Sequence, residues 1–361
     1  MHKSGSALSI RENVPLAPYT TLGIGGPARF LAKARNEDQI LEALVFAHTQ
    51  SCPVFILGGG SNIIVSDAGF PGLVLRIELP GIQNPDGENA ARISAAAGVE
   101  WDAFVQHCVN RGLAGIECLS GIPGTVGATP IQNVGAYGEE VSEVIVSIRV
   151  LDRNSNSITE LAGPDCAFTY RSSIFNTTHQ NRYVILRVDF ALRPDGKPRI
   201  VYQDLQRCYA GRDPSLVEVR ESVMQIRWAK AMILLDGDPD SKSVGSFFKN
   251  PVLTPGAAAG LQEKARSHGI LGTSENIPCF PAPEGKEKLP AAWLIERAGF
   301  SKGYVAGHAG ISSKHSLALI NRGGASAREI LDLMQRIQSR VQTLFGIALQ
   351  PEPVFVGFET R

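Results

Sequence analysis

An α+β or α/β fold of more than one domain is what the sequence predicts, and three observations carry that expectation. The chain has 361 residues, more than the roughly 250 at which a single hydrophobic core stops growing. Short apolar runs of strand length are interleaved with amphipathic stretches that carry helix caps. Glycine is abundant, at 37 residues beside 22 prolines, and gathers in two dense stretches within strand-like sequence. A content of 43% hydrophobic and 19% charged residues is that of a folded globular protein, not of a disordered or fibrous chain.

The first helix is expected over residues 36–50. Asn36 can cap it, Gln39 stands at the capping-box position, and Ile40, Leu41, Leu44 and Val45 make one apolar face. A buried strand follows at 54–57, then Gly58, Gly59, Gly60, Ser61 and Asn62 form a turn before strand character resumes at 63–65. Ile93, Ala95 and Ala97 alternate as in a strand. Behind them Trp101, Phe104, Val105, Cys108 and Val109 fall at i, i+3, i+4, i+7 and i+8 of a helix. Strands are expected at 144–151 and 183–192, and the charged, proline-marked RPDGKPR at 193–199 reads as a boundary. Helices are expected at 215–230 and 290–298, the latter with Trp293 in its core. A last helix opens on the capping box of Ser326 and Glu329 and carries Ile330, Leu333, Met334, Ile337 and Val341 on one face.

Charge excludes whole classes of partner. Lys plus Arg equals Asp plus Glu at 35 each, so no net field draws in nucleic acid or an anionic membrane. No uncharged apolar stretch approaches the ~18 residues of a membrane span, and the first residues hold no apolar signal core, so a cytoplasmic protein is expected. Cys52, Cys108, Cys118, Cys166, Cys208 and Cys279 are scattered without a CxxC pair, and the histidines form no HExxH cluster. Reduced packing cysteines and no protein-bound metal are expected.

Two loops carry chemistry. Backbone N–H groups of Gly58, Gly59 and Gly60 can converge on an anion, with Ser61 and Asn62 adding side-chain hydrogen bonds; the same residues also read as a plain tight turn. The loop is neither a Walker loop nor a GxGxxG dinucleotide turn. The second stretch, SGIPGTVGATPIQNVGAYG at 120–138, sets Gly121, Gly124, Gly127, Gly135 and Gly138 around Gln132 and Asn133. Such a pattern lets backbone lie against a flat or extended ligand, or makes a compact loop.

Together with TTLGIGGPARF at 20–30, these loops resemble the UDP-N-acetylenolpyruvoylglucosamine reductase (MurB) family, the UDP-N-acetylmuramate dehydrogenases. The family's blocks occur in order as TLGIGG, LGGGSNIIVSD, SGIPGTVGATPIQNVGAYG, YRSSIF, GSFFKNP, AAWLIERAGFSKG and LQPEP, spanning about residues 16–355. The resemblance implies an α+β protein. It would have an FAD-binding fold of the vanillyl-alcohol-oxidase (PCMH) type in two lobes, about 1–75 and 76–195, then a substrate domain over 196–361 whose last strand is a candidate to return to the first lobe. FAD is the implied cofactor and NADPH the co-substrate, with a UDP-sugar as the other partner and the chain a monomer.

The resemblance also assigns residues. Gly58, Gly59, Gly60, Ser61 and Asn62 would hold the FAD diphosphate, and Ile122, Gly124, Gly127, Gln132, Asn133 and Gly135 would complete the cofactor site. Ser246 in GSFFKNP matches the proton donor, Arg171 in YRSSIF the arginine that pairs with the substrate carboxylate, and Glu352 in LQPEP the C-terminal glutamate. Tyr202, Lys230, Asn250 and Lys288 resemble contacts to the nucleotide sugar. No GxSxG elbow or partner histidine accompanies Ser246, which disfavours acyl transfer. Gln350 and Pro353 depart from the family's last motif, and the acidic KAMILLDGDPDSKSV departs before Ser246, where it could alter the pocket rim. The alternatives are another flavin oxidoreductase acting on a sugar or alcohol, and a catalytically silent nucleotide-sugar binding protein.

Overall fold

The computed structural model describes residues 7–84, 91–209, 211–272 and 274–358. It mixes helices with mainly antiparallel sheets, the α+β class expected, and divides into two compact units. The first comprises the chain up to Pro15, Pro27–Gly60 and Gly69–Ile233; the second comprises Leu16–Gly26, Ser61–Ala68 and the chain from Leu234 onward.

In the first unit a four-stranded sheet runs in the order Ile10–Pro15, Pro27–Ala34, Phe70–Ile77, Val54–Leu57. Helix α1, Glu37–Thr49, packs on it. The Asn36 side chain accepts from Gln39 N at 2.8 Å as a cap should, but Gln39 Oε1 accepts from Arg35 N instead of completing a capping box. The buried positions of α1 are Gln39, Ile40, Ala43 and Ala47, whereas Val45, expected on that face, is 64% exposed. Small alanines let the helix approach the sheet closely, which rotates Val45 outward.

A second, antiparallel sheet has the order Ser157–Ala162, Ile145–Asp152, Tyr183–Ala191, Arg92–Ala96, Ile82–Gln83. Helix α2, Trp101–Asn110, buries all five residues of its predicted stripe. Trp101, Phe104 and Phe190 meet at ring-centroid distances of 4.8–6.2 Å; full burial of each such side chain contributes about 1.5–3 kcal/mol.

The expected boundary at 195/196 differs from the observed division at 233/234. Residues 193–194 pair with Leu113–Ala114, and helices α3, Gln203–Cys208, and α4, Leu216–Ala229, stay with the first unit. The reason is a fork from α4: the two terminal nitrogens of Arg220 donate to Asp102 of α2 at 2.6 and 2.7 Å. Val219 and Val223 add an apolar cluster with Cys118, Tyr137, Leu205 and Tyr209.

The second unit is built on helices α5, Pro255–Ser267, α6, Ala291–Arg297, and α7, Ala327–Phe345. Helix α7 has the predicted capping box, buries Ile330, Leu333, Met334, Ile337 and Val341, and gains a second cap because the Asp67 carboxylate accepts from Ala327 N and Arg328 N. Trp293 is half-buried rather than central, with its ring 5.7 Å from Phe345. The last strand, Val354–Val356, pairs in parallel with Ile63–Val65, a strand that falls in the second unit.

Candidate functional site

The two glycine loops, far apart in sequence, are packed backbone to backbone in the first unit. A Cβ on Gly58 would lie 2.8 Å from Thr125 Oγ1, and one on Gly59 2.6 Å from Gly124 Cα. Close approach to backbone requires glycine at Gly59, and a φ of +134° requires it at Gly124. Downstream, a Cβ on Gly127 would meet Ala97 at 2.5 Å. The Asn133 side chain is engaged within the protein: its amide donates to Glu140 Oε2 and the Thr169 carbonyl, and its oxygen accepts from Ser142 N.

Arg171 is held by this second loop. Its guanidinium donates to the carbonyls of Asn133 at 3.2 Å and Gly135 at 2.5 Å. Its own backbone sits at φ +55°, a left-handed conformation that a bulky residue adopts at a cost of order 1–3 kcal/mol. Surrounding bonds enforce it: Asn176 Nδ2 donates to the Arg171 carbonyl, and Ser173 Oγ to the Ile131 carbonyl. Tyr202 and Lys230 are brought together through shared neighbours. The Tyr202 ring stands edge-on to Tyr137 at 5.3 Å, and Lys230 Nζ lies 6.0 Å from the same ring and 3.2 Å from Asp204.

In the second unit, Ser246 and Glu352 are brought side by side. The GSFFKNP segment runs antiparallel to LQPEP: Glu352 N donates to the Phe247 carbonyl and Lys249 N to the Gln350 carbonyl, both at 2.9 Å. Asn62 Nδ2 donates to the Glu352 carbonyl at 3.3 Å, and Val354 N to the Asn62 carbonyl. Gln350 therefore serves through its backbone, and Pro353 leaves this ladder intact. Phe247 and Phe248 anchor the segment in the core, while Gly245 turns it at φ +75°. Contrary to the sequence expectation, Ser246 has a histidine neighbour, with Oγ 3.4 Å from His315 Nε2. Asn250 Oδ1 accepts from Ala291 N at the start of α6, and Lys288 lies in the strand that pairs with Val252.

Residues 238–356 match the family model described as UDP-N-acetylenolpyruvoylglucosamine reductase, C-terminal domain, and residues 28–160 match an FAD binding domain. A UDP-N-acetylenolpyruvoylglucosamine reductase of Thermobifida fusca is 43% identical over 354 residues, covering 97% of this chain and 98% of its own. The chain belongs to the UDP-N-acetylenolpyruvoylglucosamine reductase family. A Streptomyces coelicolor protein of that name is 44% identical over 351 residues, 96% of this chain and 90% of its own. The solved reductase of Thermus caldophilus shares the fold, with a TM-score of 0.64 at 23% identity over 97% of this chain and 98% of its own. The protein is thus an oxidoreductase of this family with an FAD-binding domain.

Three features of this family member escape motif reading. Arg227 is 5% exposed and donates to the Met232 carbonyl; its place after Val219 and Val223 at successive i+4 steps is a signal that the sequence did contain. His315 is 69 positions from Ser246 and no local pattern joins them. Glu117 and Glu139 form a buried carboxyl pair behind the second glycine loop, 0% and 3% exposed. Glu117 accepts from Gly115 N and Glu139 from Cys118 N. Burial, then the neighbouring Glu117 carboxyl, pushes Glu139 up to about 8.

The folded protein therefore retains a proton on Glu139 that the unfolded chain loses above about pH 4.5, so stability falls as pH rises from there to about 8. Denaturant midpoints taken at intervals across that window should decline for the wild type and decline less for Glu139→Gln, whose amide cannot ionise. Parallel curves would remove the buried proton from the account.

Proposed function

We propose that the protein is an NADPH-dependent, FAD-containing reductase that converts UDP-N-acetyl-3-O-(1-carboxyvinyl)glucosamine to UDP-N-acetylmuramate, a cytoplasmic step of peptidoglycan precursor synthesis carried out by a monomer. The observation that carries this reading is the ladder that lays the segment following Ser246 alongside Glu352 and Asn62, in a chain of this family. The residues present also fit FAD: Gly58 and Gly59 carry no Cβ to block the approach of a diphosphate to the backbone, and the Gly59 backbone lies against that of Gly124. Bound and reduced, FAD supplies a hydride from N5 to C3 of the enolpyruvyl group.

The chain's own residues do the rest. Arg171 pairs with the substrate carboxylate and lowers the energy of the enolate charge that develops next to it; loss of such a donor costs about 3–4 kcal/mol of barrier. Ser246 delivers its hydroxyl proton to C2. Glu352 orients that acid. Gly58, Gly59, Gly60, Ser61 and Asn62 hold the FAD diphosphate, with Ile122, Gly124, Gly127, Gln132, Asn133 and Gly135 along the cofactor. Since the Asn133 side chain is already engaged, its part there falls to the backbone. Tyr202 closes over the nucleotide, and Lys230, Asn250 and Lys288 take diphosphate and sugar oxygens.

The test is optical. Under anaerobic conditions the purified protein should be yellow, bleach with NADPH, and regain colour on addition of the enolpyruvyl sugar with one UDP-N-acetylmuramate formed per flavin. Rapid reoxidation by oxygen with indifference to the sugar would instead assign an oxidase of another substrate.

A further inference from the structure

We propose that His315 is a positioning residue for Ser246: its Nε2–H donates to Ser246 Oγ, so that the hydroxyl's own hydrogen is turned away from the ring and toward the carbon it protonates. The inference rests on the proposed reduction, and its geometry lies wholly in the second unit. Ser246 Oγ and His315 Nε2 are 3.4 Å apart, and hydrogen bonds of catalytic groups are commonly long before substrate is bound. A hydroxyl has one hydrogen and two acceptor sites. If it gave that hydrogen to the histidine it could not give it to carbon, whereas accepting from Nε2–H leaves it available.

The surrounding bonds fix the backbone that carries His315. Phe247 N donates to the Leu317 carbonyl, Ala318 N to the His315 carbonyl, and Ser312 N to the Ala318 carbonyl, at 2.8–3.1 Å. Ser312 and Ser316 on either side are buried. The acidic segment that departs from the family's wording grips the same loop from outside. Asp240 accepts from Ser313 N at 2.8 Å and Ser313 Oγ at 2.5 Å, and Asp238 pairs with Lys314 at 3.0 Å. Burial alone would raise Asp240, but the Ser313 hydrogen bonds outweigh it and keep that carboxylate below its usual range and ionised.

In the step itself the Ser246 O–H bond breaks and a C2–H bond forms with the electron pair left on the substrate by hydride addition. Negative charge is left on Oγ, where Nε2–H meets it, and water returns the proton after product departs. The hydrogen bond thus strengthens as the transition state forms, the condition for an effect on rate rather than on binding.

The experiment reduces the flavin anaerobically with dithionite, adds the enolpyruvyl sugar, and follows reoxidation. His315→Ala should reoxidise ~10²-fold more slowly than wild type, with reduction by NADPH and the KM for the sugar little changed. His315→Gln, whose amide can still donate to Oγ, should recover most of the rate. Wild-type reoxidation in His315→Ala, or a glutamine variant as slow as the alanine variant, would overturn the proposal. Failure of the wild-type flavin to be reoxidised by the sugar would instead overturn the reductase reading, so the two failures are distinct.

Discussion

Ser246→Ala is expected to give a yellow protein whose flavin NADPH still reduces, but whose reduction of the enolpyruvyl sugar falls by ~10²–10⁴-fold, the usual worth of a positioned proton donor. The substitution removes one oxygen from a half-buried position. What holds the segment in place is untouched: the Phe247 N bond to Leu317, the Glu352 N bond to Phe247, and the burial of Phe247 and Phe248 all lie outside the serine side chain. Fold and flavin content should therefore survive, and the loss should fall on kcat with KM nearly constant, as when a group acts only in the transition state. Stopped-flow measurement of the two half reactions separates them. Equal loss in both would indicate damage to the cofactor site, and unchanged turnover of the sugar would remove Ser246 from the chemistry.

The legible parts of this molecule were those in which cause is local. The α2 and α7 stripes follow directly from 3.6-residue periodicity, and the α7 cap from Ser326 and Glu329 at fixed spacing. The two glycine loops announced themselves because glycine has a local signature, although their mutual packing did not. Ser246, Arg171 and Glu352 were reachable only through family resemblance, since a lone serine or arginine has no diagnostic neighbours in sequence. Where the reading differed, a distant contact decided. The boundary at 195/196 differs from the observed division because Arg220 reaches Asp102, 118 positions away, and the histidine beside Ser246 was missed for want of any pattern linking 246 to 315. Val45 faces outward because Ala43 and Ala47 set the helix's approach to the sheet, a packing choice that hydrophobicity alone does not rank.

Gly59→Ala should lose FAD while Gly260→Ala keeps it, a contrast that isolates close approach from glycine content. An added Cβ at Gly59 would sit 2.6 Å from Gly124 Cα and 3.1 Å from its carbonyl carbon. Both are backbone atoms, so no side chain can swing aside, whereas the 2.8 Å contact at Gly58 is with the Thr125 hydroxyl, which can rotate. The loops must separate, and overpacking of this kind typically costs about 1–3 kcal/mol. With the cofactor held at the two loops as proposed, the FAD dissociation constant should rise by roughly 10–100-fold, with cofactor lost on gel filtration. Gly260, by contrast, is an exposed position of α5 with nothing within 4 Å of an added Cβ. Alanine there should stabilise the protein by roughly 0.5–1 kcal/mol with full flavin retained. A Gly59→Ala protein that melts like wild type and titrates with FAD at wild-type affinity would mean that the junction of the two loops is not where the cofactor is held.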